Sequence, residues 1–398
     1  MIYSSYTNSC LTQTLNTTMT KRHNIKIKDL PEQERLFWLK LARTKRISPT
    51  LFFRLVDIFN SPKNVLENIE EFSKKSGCNN PIKPIDDYLI EQELEKCQKS
   101  NGVILAFCEN SYPKLLREIS DPPPILTAIG NTDLLNKKVV SVIGTRNSSF
   151  NGYKFAQDIS NQLGRNNFIV SSGMARGIDT AAHLGALKNG TIAVLAGGVD
   201  HIYPKSNTNL YKQICEQGVI ISELECGFVP RGGNFPQRNR IISGISMGTA
   251  VIEATVKSGT LITARFALEH NREVFAVPGP PYDTRHQGTN RLIKDGAIML
   301  LSHNDILQEF GNSKSDLLNF AENDEGVIEQ EKLIPGDSIL RDAEDLLLNK
   351  INFVPITIEE IIQQCEEVSI QAINVVLTQL ELTDKIENKN GKISLKSG

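Results

Sequence analysis

The chain has a single tryptophan, an aromatic content of only 6%, and no apolar run near the roughly 20 residues that would cross a bilayer, so no membrane-spanning helix is expected. Its seven cysteines, Cys10, Cys78, Cys97, Cys108, Cys215, Cys226 and Cys365, are odd in number and never fall as C-x-x-C. That spacing excludes a recognisable zinc cluster and fits reduced, mostly structural thiols in a cytoplasmic protein. The six histidines are scattered, with His183 in a helical pattern and His201 and His286 in loops. Both the G-x-G-x-x-G dinucleotide fingerprint and the Walker A lysine motif are missing. With no motif of paired carboxylates and no activated nucleophile either, no metal, no cofactor and no catalytic turnover are expected.

A strong charge of one sign is also lacking, since the net charge over 398 residues is −2. Divided along the chain it is uneven. Residues 139–310 carry 16 Lys and Arg against 13 Asp and Glu, whereas residues 311–398 carry 8 against 17. A polyanion must therefore be held by a local patch in the middle segment, and the acidic C-terminal end would repel it. Residues 1–28 read as a disordered tail. The first 24 are rich in Ser, Thr and Asn and free of acids, yet they have neither the apolar core of a secretory signal nor the arginine face of a transit peptide. Met19 stands as an alternative start.

What is present is regular alternation. Short apolar runs at Val139–Gly144, Phe168–Gly173, Thr191–Gly198, Val219–Leu224, Gly248–Ala254 and Arg272–Gly279 are separated by amphipathic stretches such as Gly152–Leu163, Ile178–Leu187 and Leu261–His270. This pattern predicts an α/β domain with a parallel sheet buried on both faces, and in such sheets ligands bind at the C-terminal strand ends. Those ends carry Gly144, Thr145 and Arg146, then Gly173, then Gly197 and Gly198. Residues 229–260 add Arg231, Arg238 and Arg240 among Gly232, Gly233, Asn234 and Phe235, followed by a strand and a small-residue turn at Ser258, Gly259 and Thr260. Guanidinium forks, close backbone approach at glycine and unpaired N–H groups at a helix start together predict a phosphate site.

The runs GTR (144–146), SGMARGIDTAAHLGAL (172–187), LAGGVDHIYPKSN (195–207), GNFPQRNRIISGIS (233–246), EATVKSGTLITARFALEHNREVFAVPG (253–279) and GTNRLIKDGA (288–297) occur in order. In these the chain resembles the DNA-processing protein A (DprA/Smf) family, from about residue 102 to 310. The resemblance implies an extended Rossmann-like domain that binds single-stranded DNA without sequence preference, forms a homodimer and loads the RecA recombinase onto DNA in natural transformation. It maps backbone contacts onto Arg146, Lys205, Arg238 and Arg240, and places Asn239 among the DNA-binding residues. Phe235 is expected either to stack on a base or to pack under its loop, and the apolar segment Ile298–Leu301 is the candidate dimer surface.

The flanks divide into a helical module and linker (29–101), an acidic linker (311–337) and a winged-helix domain (338–398). Related sequences carry a glycine hairpin where this chain has Lys45, Arg46, Ile47, Ser48 and Pro49, so packing or protein docking is expected there rather than a grip on DNA. Thr357 with Glu360 forms a capping box, Ser369 opens the helix in the recognition position, and Asn390-Gly391 turns a hairpin. That recognition-position helix has no Lys or Arg, which predicts protein contact rather than duplex readout. Two alternatives stand beside the single-strand reading: a Rossmann-like nucleotide phosphoribohydrolase, and a scaffold that binds proteins but not DNA.

Overall fold

Proline and serine punctuate the N-terminal module. The computed structural model describes residues 25–311, 337–365, 367–389 and 391–396, so the expected tail over residues 1–24 and the linker over 312–336 lie outside the described residues. The module contains α1 (Glu32–Arg43), α2 (Pro49–Phe59), α3 (Pro62–Lys75) and α4 (Asp87–Lys99). Ser48 and Ser61 cap α2 and α3 by accepting the N–H groups of Leu51 and Asn64, each with proline just inside the helix. Rings run Trp38, Phe52, Phe53, Phe107 with successive centroid separations of 5.1, 5.3 and 4.6 Å, carrying one core from the helices into the sheet. Each such buried ring contributes about 1.5–3 kcal/mol. Of residues 25–28, expected in the tail, Ile25 packs on this core and the Lys28 N–H donates to the Cys108 carbonyl at 2.8 Å, while the side chain of Ile27 stays exposed.

The central domain runs β1 (Val103–Ala106), α5 (Lys114–Arg117), β2 (Ile125–Gly130), β3 (Lys138–Ile143), α6 (Phe150–Arg165), β4 (Phe168–Ser172), α7 (Ile178–Ala186), β5 (Thr191–Val194), α8 (Thr208–Gln217), β6 (Val219–Ser222) and α9 (Asn234–Gly244). It continues through β7 (Gly248–Val251), α10 (Thr260–Glu269), β8 (Glu273–Ala276), α11 (Thr284–Lys294), β9 (Ile298–Met299) and α12 (His303–Gly311). Among the described residues the strands form one sheet in the order β1-β2-β6-β5-β4-β3-β7-β8-β9. The run from β6 to β9 is parallel, as the apolar strands predict, but β2 is antiparallel to both β1 and β6, so the sheet is mixed. The chain leaves β3 for β4 on one side and returns to β7 on the other, which makes the end of β3 the topological switch point where ligands bind in such sheets. Thr191–Gly198 is extended only as far as Val194, and its remaining residues leave the sheet as a turn.

The C-terminal winged helix contains α13 (Asp337–Lys350), β10 (Ile356–Thr357), α14 (Ile358–Gln364), α15 (Ile370–Leu382), β11 (Ile386–Lys389) and β12 (Lys392–Leu395). The Thr357–Glu360 capping box and the Ser369 cap form as the sequence predicts. Part of this domain packs against the N-terminal module. Helix α15 packs on α2, Ile58 enters the winged-helix core, and buried Arg54 pairs with Glu381. At the hairpin, Arg46 takes φ +69°, the left-handed conformation that glycine adopts without cost, and its guanidinium donates to the carbonyls of Asn80 at 2.5 Å and Leu382 at 3.0 Å.

Candidate functional site

Three hydroxyls fix the helix that builds the site. Ser141 of β3, Ser171 of β4 and Ser246 form a buried triangle with oxygen separations of 2.6 to 3.0 Å, and Ser141 also donates to the Ile242 carbonyl at 2.8 Å. A satisfied polar network in a dry core permits one docking of α9 on the sheet. Phe235, Arg238 and Ile242 recur at helical spacing and lie on one face of α9. That face presents Phe235 and Arg238 to a cleft over the C-terminal ends of β3, β4 and β5, lined also by Arg146, Gly173, Arg176, Gly197, His201 and Tyr203.

Arg238 forms the floor. It is 6% exposed, its Nη1 donates to the Val194 carbonyl, and its Nε has no partner among the described residues. Burial lowers its pKa to about 10, with Asp179 pulling upward and Arg146 pushing further down. At neutral pH it stays charged and under-solvated, a state that an anion in the cleft would relieve. Gly173 is required for its passage, because a Cβ there would lie 2.3 Å from Nη1. Arg146 is exposed at the rim, with its guanidinium carbon 5.4 Å from the Phe235 ring centroid, and Phe235 meets Tyr203 at 5.4 Å. A charge and two rings therefore share one mouth. Phe235 is half-buried and lines the cleft, so it packs under Arg146 and also offers its ring to the opening.

Asp179, which the sequence reading did not single out, organises the turns. Its buried carboxylate accepts N–H groups of Ala175, Gly144 and Gly173, joining the ends of β3 and β4, and burial raises its pKa while Arg238 opposes that rise. The signal was available, since Asp179 stands in the first turn of a helix that follows glycine, where an acid meets unpaired N–H groups. Arg176, His201 and Tyr203 also line the cleft without a sequence signal of their own; Arg176 lies three residues after Gly173 and Tyr203 two before Lys205.

Several expected residues lie elsewhere. Arg240 is two positions from Arg238, and about 100° per residue turns it to the opposite side of α9. There it is 5% exposed, with Nε 3.1 Å from Asp121 and Nη2 on Glu223. Burial pulls its pKa down, but the charges of Glu223 and Asp121 outweigh that and leave it raised. Arg240 is thus a strut rather than a phosphate ligand. Asn239 reaches the Gly259 carbonyl at 3.5 Å, and Ser258, Gly259 and Thr260 form the start of α10 beside α9, outside the cleft lining. Lys205 is exposed just beyond Pro204, past the rim. Thr145 holds its turn, its N–H donating to the Glu253 carbonyl at 2.9 Å, and the Gly198 N–H donates to Phe228 O at 2.9 Å.

The family model described as DNA recombination-mediator protein A matches residues 103–311, the segment that contains the whole cleft. The chain belongs to this family. A DprA-like N-terminal HHH domain matches residues 32–95 and a DprA winged helix domain residues 335–392, so the flanking modules belong to the family's architecture. Protein Smf of Synechocystis sp. is 37% identical over 326 residues, covering 77% of this chain and 78% of that protein. The DNA processing protein DprA of Streptococcus pneumoniae is 40% identical over 243 residues, covering 59% of this chain and 84% of that one. An X-ray structure of the S. pneumoniae protein superimposes with a TM-score of 0.61 at 34% identity, covering 69% of this chain and 97% of the other. The S. pneumoniae relative is named a DNA processing protein, and this chain shares its Rossmann-like core. No helix among the described residues is long and apolar enough to cross a membrane.

Proposed function

We propose that the cleft binds single-stranded DNA without sequence preference, and that the protein is a cytoplasmic DNA-binding factor rather than an enzyme. The observation that carries this reading is Arg238, a buried guanidinium with an unpartnered Nε beneath a rim of Arg146, Phe235 and Tyr203. Cations that meet phosphates beside rings that meet bases are the minimal chemistry of single-strand binding. The cleft is lined by three guanidinium groups, Arg146, Arg176 and Arg238, and, among the described residues, by no carboxylate. Glu253, the acid nearest the end of β7, is fully buried and accepts the Ser149 N–H at 3.0 Å and the Ser149 hydroxyl at 2.5 Å, so it locks the start of α6.

The biological output we propose follows the family resemblance: transfer of a single strand to RecA by a homodimer. β9 ends the sheet with Met299 and Leu301 exposed beside it, and this edge is the dimer surface we propose. Titration of the full chain with single-stranded and double-stranded oligonucleotides across a range of salt tests the reading. Single strands are expected to bind more tightly, with a log–log salt slope of about −0.7 per phosphate contact. Equal affinity for both forms at physiological salt would sink it. Faster RecA filament assembly on strands coated with single-strand-binding protein, lost in Arg146→Ala, tests the loading step.

A further inference from the structure

We infer that the bound strand continues out of the cleft along the end of the sheet, where Phe150 and Tyr282 serve as a second stacking platform for its bases. The inference rests on the single-strand reading of the cleft. Phe150 is 83% exposed and Tyr282 97% exposed, more than Tyr88 at 65%, Phe353 at 68% or Tyr203 at 47%. Phe150 is the first residue of α6, just after the turn that carries Arg146. Tyr282 lies in the turn after β8. Because β3, β7 and β8 are parallel neighbours, the two turns leave the same end of the sheet, with only the turn after β7 between them in strand order.

The charges of that end favour a polyanion. Arg146, Arg176, Lys205, Arg231 and Lys257 are exposed in the turns following β3, β4, β5, β6 and β7. Most acids of the same turns are already engaged. Asp200 accepts the Gly227 N–H at 2.7 Å, Glu223 is held by Arg240, Glu253 is buried, and Asp283 pairs with Arg285 at 2.8 Å; Glu225 is exposed. Lys257 is exposed in the turn that follows β7, the strand between β3 and β8 in the sheet order. A strand that runs from Arg146 across the turns after β3, β7 and β8 would pass a cation in the middle turn and a ring at each end of the path. Stacking of this kind tolerates any base, since every base has a π-face. The rival occupant is a second copy of this chain, because β8 adjoins the edge strand β9.

The test uses the full chain and oligothymidylates of about 5 and about 16 nucleotides, which bracket a cleft-sized and a track-sized ligand. Phe150→Ala and Tyr282→Ala are each expected to weaken binding of the longer strand about fivefold or more while leaving the shorter unchanged, and the tryptophan replacements to restore it. Arg146→Ala should weaken both lengths. If Arg146→Ala weakens both while the ring variants bind the longer strand as wild type, the track is refuted and the cleft stands. If Arg146→Ala is without effect on either length, the cleft reading fails and takes the track with it. Loss of the dimer in sedimentation of Tyr282→Ala, with strand affinity unchanged, would assign the ring to a second copy and overturn the inference.

Discussion

Replacing Arg240 with alanine removes the cation that holds two buried carboxylates together. The side chains of Arg240, Asp121 and Glu223 are 6, 12 and 18% exposed, with Arg240 between the other two. Removing one partner of a buried pair costs about 3–5 kcal/mol, mostly because the remaining charge is left uncompensated. Here two like charges remain, and burial already pushes the Asp121 carboxyl upward against the pull of Arg240. Without Arg240 that carboxyl takes a proton more readily, so the loss shrinks as pH falls. The expected result is a loss of about 3–5 kcal/mol near pH 7.5 and a smaller one near pH 5. Urea unfolding followed through Trp38, the single tryptophan and a buried member of the core shared with the sheet, reads it as a lower midpoint. Adding Asp121→Asn and Glu223→Gln to Arg240→Ala should recover part of the loss. Below its unfolding range, the Arg240→Ala protein should bind single strands within about twofold of wild type, because nothing in the cleft has changed. A variant that unfolds at the wild-type midpoint and binds DNA poorly would refute the strut and return Arg240 to the binding surface.

Arg146→Ala should do the reverse, leaving stability within about 0.5 kcal/mol while weakening single-strand affinity and making the salt slope shallower by about 0.7; unchanged affinity by fluorescence anisotropy would show the site to be misplaced. Glu381→Ala strands the buried Arg54 between α2 and α15 and should loosen the winged helix by about 3–5 kcal/mol, measured as faster hydrogen exchange across α15, with Arg54→Met in the same chain restoring much of it. Exchange in α15 that matches wild type would mean the pair is not holding the domains together. His183 is held neutral, since burial, aided by the Arg238 charge, lowers its pKa to about 3 from 6.5. Its depressed folded-state value contributes stability that is complete above about pH 6.5 and is lost by about 1.4 kcal/mol per unit as pH falls towards 3. His183→Gln should flatten that slope in urea midpoints, and an identical slope would contradict it.

Much of the architecture follows from local pattern. Apolar runs such as Val139–Gly144 and Phe168–Gly173 are too uniformly hydrophobic for a half-exposed sheet, so they specify parallel strands covered on both faces. Serines before Pro49 and Pro62 specify helix starts, and the Thr357–Glu360 pair specifies another, because each satisfies backbone N–H groups within a few residues. Gly173 and Arg146 could be placed at strand ends for the same reason. Quantities set by rotation and by distant partners could not. The segment FPQRNR reads as a basic loop, and only its folding as α9 sends Arg238 into the cleft and Arg240 to Asp121, a residue more than a hundred positions away in the chain. The reversal of β2 has no signature in its own apolar residues, since strand direction is decided by pairing with β1 and β6. The lack of lysine or arginine in α15 is legible in the sequence, but its packing on α2 depends on the fit of Ile58 and Arg54 against it. Periodicity and capping are written in neighbouring residues; the partner of a buried charge is chosen by the packing of elements far apart in sequence.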